Sequence, residues 1–214
     1  MIKGVIFDMD GLMIDSERVT FYWYRQYLKK TGQDMTEDFY KNLLGKTKEG
    51  CKDIMLKEYG SDFEYDKCLQ WVHDQMALQF ETEGVPVKKG LIKLLEYLKH
   101  NGYKTMVATS SDRNRVDVIL KNAGIDIYFD GAICGDEIKH GKPDPEVFLK
   151  ACDKIDIKPE EGLVIEDSEA GIKAAHDGKI KVICIPDMKY PGKEYENMTY
   201  KILQNLEQVI PFVQ

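Results

Sequence analysis

Residues Phe7 to Arg18 read FDMDGLMIDSER, with Asp8 and Asp10 one residue apart directly after the apolar run Val5-Ile6-Phe7. One carboxylate can attack phosphorus and form an acyl phosphate. A second can protonate a leaving alcohol and later deprotonate water. Three other places carry matching chemistry. Thr109, Ser110 and Ser111 follow the run Met106–Ala108, Lys142 sits in HGKPDPEVF, and Glu166 and Asp167 follow Leu163–Ile165. A lysine and a hydroxyl can bind phosphoryl oxygens as charge redistributes. Mg2+, which takes a few hard oxygen ligands and keeps several waters, would relieve the repulsion among Asp8, Asp10 and Asp167.

Each residue also has a purely structural reading. Asp10-Gly11 fits a turn, Thr109 or Ser110 a helix cap, and Lys142 a solvated loop. Asp167 and Ser168 could cap a helix beginning near Glu169. Three carboxylates, a hydroxyl and an ammonium converging on one crevice are costly to hold there without a ligand. Taken together they read as a phosphoryl-transfer site.

Such residues need elements to bring them together. Five short apolar runs read as buried strands: Val5–Phe7, Met106–Ala108, Ala132–Cys134, Leu163–Ile165 and Val182–Ile185. Between them, Leu91, Leu94, Leu95 and Leu98 mark one helix face, as do Val116, Ile119, Leu120 and Ala123, and Val147, Phe148, Ala151, Cys152 and Ile155. Strands alternating with helices predict a doubly wound, parallel α/β sheet. In such sheets ligands bind at the carboxyl ends of the strands, where all the candidate residues lie. The stretch 16–82 breaks the alternation. It has helical patterns, no convincing strand and many aromatics, so it is expected to form a helical cap inserted into a core made of 1–15 and 83–214. Phe21, Tyr24 and Leu28 on one face of that insert are expected to pack its interior.

Composition narrows the class. The 214 residues suit one domain, or a domain with a smaller insert. A formal net charge of −7 disfavours binding to a nucleic-acid backbone. The five cysteines form no CxxC or zinc spacing, which fits reduced thiols in the cytosol. Met1 leads straight into a strand-like run with no secretory leader pattern, and no apolar run nears the ~20 residues that span a bilayer. The expectation is a cytoplasmic protein acting on a small metabolite, with no nucleic-acid or membrane partner, and a monomer by default. The GKT at 45–47 is not a P-loop, because the pattern needs glycine where Tyr40 stands. The TSSD at 109–112 lacks the G-x-S-x-G of a serine hydrolase, and the four histidines have no metal-ligand spacing.

FDMDGLMIDSE resembles the DxDG motif of the haloacid dehalogenase superfamily. MVATSS is similar to its second motif, GKPDPEVF to its lysine motif, and VIEDSEAGIKAA to its acidic motif. All four occur in order, from Ile2 to about Ile185. The insert resembles the small helical cap of the subfamily that holds β-phosphoglucomutase and many sugar-phosphate phosphatases.

The resemblance implies an Asp8 nucleophile that also binds Mg2+. It implies an Asp10 general acid/base that binds the metal through its backbone carbonyl. Thr109 and Lys142, with the backbone N–H of Ser110, would hold the transferring phosphoryl group. Asp167 would bind Mg2+, and Glu166 would do so directly or through water. Leu12, Met13 and Ile14 would form a flap leading into the cap. The family's dehalogenases lack the second aspartate, so Asp10 argues for phosphate chemistry.

The implied activity is a Mg2+-dependent phosphatase of a small phosphomonoester working through an aspartyl phosphate. The alternatives are a β-phosphoglucomutase-type mutase and a non-catalytic phosphate-binding domain. Mutases of that type carry a histidine where this chain has Thr20 and an arginine where it has Lys48. Specificity is expected in the cap, with Lys46, Thr47 and Lys48 the leading candidates, together with Glu17, Thr20 and Trp23.

Overall fold

In the computed structural model, which describes residues 1–214, the apolar runs become β1 (Gly4–Phe7), β2 (Lys104–Ala108), β3 (Gly131–Ile133), β4 (Gly162–Glu166) and β5 (Lys181–Cys184). A sixth strand, β6 (Lys201–Ile202), closes one edge. The sheet order is β3-β2-β1-β4-β5-β6, and every pairing is parallel. Two residues without an apolar run give β6 no sequence signal. Its pairing is continued by Leu203, whose N–H donates to the carbonyl of Cys184.

Phe7 pairs with Val107 on one side and Ile165 on the other. The register therefore sets Asp8 level with Ala108 and Glu166, so that three strand ends meet at one rim. β1 and β4 are buried along their whole length, as expected of parallel strands covered on both faces. Helices α7 (Glu146–Lys154) and α8 (Glu169–Asp177) bury Phe148, Ala151, Ile172 and Ala175 against Ile6, Met106, Val164 and Val182. Strand alternation turns Val5 and Phe7 to the other face. Helix α5 (Leu91–His100) buries Leu91, Leu94, Leu95 and Leu98, and α6 (Arg113–Asn122) buries Val116, Ile119 and Leu120. Two short helices, α9 (Lys193–Glu196) and α10 (Ile210–Val213), complete the order.

The chain divides into two units, one made of Met1–Asp15 with Val85–Gln214, the other of Ser16–Gly84. The second unit contains α1 (Ser16–Lys29), α2 (Glu37–Lys41), α3 (Lys48–Tyr59) and α4 (Tyr65–Thr82), and no strand. The division falls two residues beyond 82, because Glu83 caps α4. Tyr24 and Leu28 of α1 are buried, as are Cys68, Val72, Met76 and Phe80, spaced four apart on α4. Trp71 meets Trp23 and Tyr27. Within the sheet unit the two chain crossings run side by side. Ile14 bridges Val87, the Asp15 N–H donates to the Pro86 carbonyl, and the Lys88 N–H donates to that of Met13. All five cysteines are free thiols. No helix is long and apolar enough to cross a membrane.

Phe148 is fully buried between α7 and the sheet. Phe148→Ala is expected to cost about 3–5 kcal/mol of folding stability. Phe148→Leu should cost markedly less. Urea unfolding of the two variants checks this.

Candidate active site

Five polar or charged residues are buried in the protein, namely Asp8, Ser16, Thr105, Thr109 and Glu166. Three of the five stand at the carboxyl ends of β1, β2 and β4, so the rim is where this fold accepts the cost of burying polar groups. Asp8 is 7% exposed and Glu166 is 0% exposed. Lys142 reaches both, with Nζ 2.5 Å from Asp8 Oδ1 and 2.7 Å from Glu166 Oε1, and it also donates to the Ala108 carbonyl at 3.2 Å. Its ammonium lies 4.8 Å from the centre of the Phe148 ring. This contact ties the charged cluster to the apolar core beneath it.

The loop that carries Lys142 is closed by Glu146 at the start of α7. The Glu146 carboxylate accepts from the backbone N–H groups of Lys139 and His140 at 2.9–3.1 Å. The Lys150 ammonium and these two amides hold its carboxyl down to about 2. On the acidic side, Glu166 Oε2 accepts from the N–H groups of Asp167 and Ser168 at 2.8 Å each and from the Ser168 hydroxyl at 3.0 Å. Ser168 also caps α8 through Gly171 N–H. The capping role suggested by sequence thus belongs to Ser168, and Asp167 is left to the cluster. Gly171 is required here, since a Cβ at that position would overlap the Glu166 carboxylate.

Ligand oxygens of Asp8, Glu166 and Asp167 all lie within 4.8 Å of one another. Lys142 pairs with two of them, Asp8 and Glu166. The Asp8 carboxyl is pushed up to about 7 by burial and by Glu166, against the pull of Lys142. Burial opposes the charge on Lys142, but the two carboxylates outweigh it and hold the ammonium protonated. A compact set of hard carboxylate oxygens fits a divalent cation of the Mg2+ type. Gly11, at φ 80°, lets the chain turn tightly against Asp167, where a side chain would strike the carboxylate. Leu12, Met13 and Ile14, expected as a flap, are completely buried in the sheet unit.

Thr109 is 2% exposed, and its hydroxyl accepts from the Ser111 N–H at 3.1 Å. Ser110, next along, is exposed. The cap of α6 is Asp112, whose side chain accepts from the Arg115 N–H, so neither Thr109 nor Ser110 is spent on capping.

The Asp10 side chain has partners of its own. Its carboxylate is held by a two-pronged pair from Arg115, with Nη1 to Oδ2 at 2.6 Å and Nη2 to Oδ1 at 2.7 Å, and by the Ser111 hydroxyl at 2.9 Å. Arg115 also donates to Ser111. Sequence reasoning missed Arg115. The available signal was the spacing of four between Ser111 and Arg115 across the start of a helix.

Within the helical unit, the Thr47 hydroxyl accepts from the Gly50 N–H and caps α3. Lys48 pairs with Asp66 at 2.9 Å, both exposed, and Lys46 is exposed. Thr20 donates to the Ser16 carbonyl at 2.8 Å, Trp23 donates to Gln79 at 2.8 Å, and Glu17 accepts from the Tyr40 hydroxyl at 2.6 Å.

The sequence model of haloacid dehalogenase-like hydrolases matches residues 5–185. A phosphorylated carbohydrates phosphatase of Thermotoga maritima is 30% identical over 182 residues, covering 85% of this chain and 84% of the relative. The pyrophosphatase PpaX of Bacillus velezensis is 28% identical, covering 84% and 81%. A Thermotoga maritima crystal structure provisionally named a beta-phosphoglucomutase superposes with a TM-score of 0.81 at 28% identity, covering 99% of this chain and 98% of that one.

Gly171→Ala is expected to destabilise the fold by about 1–3 kcal/mol through overlap with Glu166. The same change in a Glu166→Ala background should cost clearly less. A double-mutant cycle read by urea unfolding measures that coupling.

Proposed function

The chain belongs to the haloacid dehalogenase-like hydrolase family, and from that premise we propose that it is a Mg2+-dependent phosphatase of small phosphomonoesters, sugar phosphates foremost, acting through an aspartyl phosphate on Asp8. The observation that carries this reading is the Asp8 carboxylate, buried at the end of β1, clasped by Lys142 and flanked by Glu166 and Asp167. The substrate named for the Thermotoga maritima phosphatase supports the choice of phosphorylated carbohydrates.

In this mechanism Asp8 attacks phosphorus and the ester P–O bond breaks. Asp10 delivers a proton to the departing alkoxide. Lys142 spans Asp8 and the phosphoryl oxygens, and the Thr109 hydroxyl and Ser110 N–H supply further donors as negative charge moves outward. Asp8, Asp167, the Asp10 carbonyl and Glu166 would hold Mg2+, which when bound offsets the charge of nucleophile and phosphate together. Asp10 then takes a proton from water as its oxygen bonds to phosphorus. The bond from phosphorus to Asp8 breaks, releasing inorganic phosphate and restoring the carboxylate.

A mutase would return the phosphoryl group to sugar instead. At the positions where such mutases carry histidine and arginine stand Thr20, whose hydroxyl bonds within its own helix, and Lys48, which lacks the arginine fork. Both favour water as the acceptor. The cap lysines Lys46 and Lys48 remain the proposed contacts for the part of the substrate that leaves.

Phosphate release across a panel of phosphorylated metabolites tests the reading. Mg2+ should support turnover and chelation should remove it. Asp8→Asn should lower turnover about a hundredfold or more, equivalent to about 2.7 kcal/mol of barrier. Efficient interconversion of a sugar 1-phosphate and 6-phosphate, with little free phosphate, would sink the phosphatase in favour of the mutase. A second measurement concerns the cap. Lys48→Ala should raise KM for the preferred metabolite while leaving turnover of p-nitrophenyl phosphate close to wild type.

A further inference from the structure

Two arginines stand in the first turn of α6, where the positive end of the helix dipole makes cations unfavourable. Helix stability does not account for them, so each needs a reason elsewhere. Arg113 has a structural one, since it donates to the Ala132 carbonyl at 2.9 Å and pairs with Glu137 and Asp117. Its fork fastens α6 to β3 and the turn that follows. Arg115 directs its fork across the rim to Asp10 and engages both carboxylate oxygens.

An arginine–carboxylate pair of this kind fixes the plane and direction of the carboxylate as well as attracting it. The pair is half-buried, with side chains 32% and 26% exposed, so solvent screens part of its energy but not its geometry. Ser111 adds a third donor from the backbone segment that also carries Thr109. Asp10 lies two residues beyond Asp8, and the fork and the Ser111 hydroxyl together engage its carboxylate from α6 and the segment before it.

We propose that Arg115, assisted by Ser111, is the positioning residue for the acid/base carboxylate of Asp10, holding it in the orientation from which it takes a proton from the water that attacks the aspartyl phosphate. This rests on the phosphatase reading above. In the step concerned, the water oxygen bonds to phosphorus and the bond between phosphorus and Asp8 breaks. The water proton passes to Asp10, and Arg115 acts on the step only through the Asp10 carboxylate it holds.

The step separates cleanly with p-nitrophenyl phosphate, whose leaving group is a stable anion that departs without being protonated. Phosphorylation of Asp8 should then be indifferent to Arg115, and hydrolysis of the phosphoenzyme should depend on it. Arg115→Met keeps most of the apolar stem and removes the fork. With Mg2+ and rapid mixing, the full-length variant should show a burst of p-nitrophenol close to one equivalent at a rate within about twofold of wild type. A steady state slowed about tenfold or more should follow. Arg115→Lys, which keeps the charge without the fork, should recover part of the steady-state rate. Arg115→Gln supplies the same measurement if the Met variant does not fold.

Equal slowing of both phases would overturn the inference, as would a raised KM with both rates unchanged or a steady state like that of wild type. The wild-type arm keeps the two ideas apart. Absence of an Asp8-dependent phosphoenzyme in the wild type would remove the phosphatase reading itself. A wild-type phosphoenzyme combined with indifference to Arg115 would remove the positioning role alone.

Discussion

The buried ammonium of Lys142 is the interaction on which the site depends. A charge taken out of water carries a penalty of several kcal/mol unless it is paired and hydrogen-bonded, and two buried carboxylates need a cation for the same reason. Asp8 and Glu166 come side by side because β1 and β4 pair in a register that leaves no other choice. Lys142 must then reach that spot from a loop, and Glu146 gathers the loop through two backbone amides. Gly171 gives Glu166 its room, and Gly11 allows the chain to turn beside Asp167. Each of these residues makes sense as support for a charged cluster at one end of a parallel sheet.

The two aspartates of the first motif sit in different electrostatic settings although one residue separates them. Asp8 is buried, its carboxyl pushed up by desolvation and restrained by Lys142. Asp10 is half-exposed and held by a guanidinium and a hydroxyl. A nucleophile that shares its charge with phosphorus suits the first setting, where compensation is fixed and water is scarce. A group that exchanges protons with an alcohol and then with water suits the second. The chain leaves β1 after Phe7 and turns at Gly11, so the two side chains meet different surroundings, as the two proposed roles require.

Much of the fold and site was legible in sequence because it rests on local patterns. The five apolar runs lie at or within one residue of the observed strands, and the leucine spacing of α5 is a direct image of its buried face. The residues at the strand ends could be picked out one by one, since in a parallel sheet the carboxyl end of a strand is where polar chemistry gathers. β6 left no mark, since two residues cannot show a period and its place is set by the neighbouring strand. Thr47, expected as a specificity residue, instead accepts from the Gly50 N–H through its hydroxyl and caps α3.

What the sequence determined by itself was therefore the list of candidate groups, the strands that carry them and the helical insert, because residue type and spacing encode these directly. What only the tertiary structure decided was which group compensates which. Lys142 is 134 residues from Asp8 and Arg115 is 105 from Asp10, separations at which spacing carries no information about contact. Arg115 reads in sequence as one more charge at a helix start. Its partner becomes visible once the parallel order of β1 and β2 brings the first turn of α6 beside the first motif.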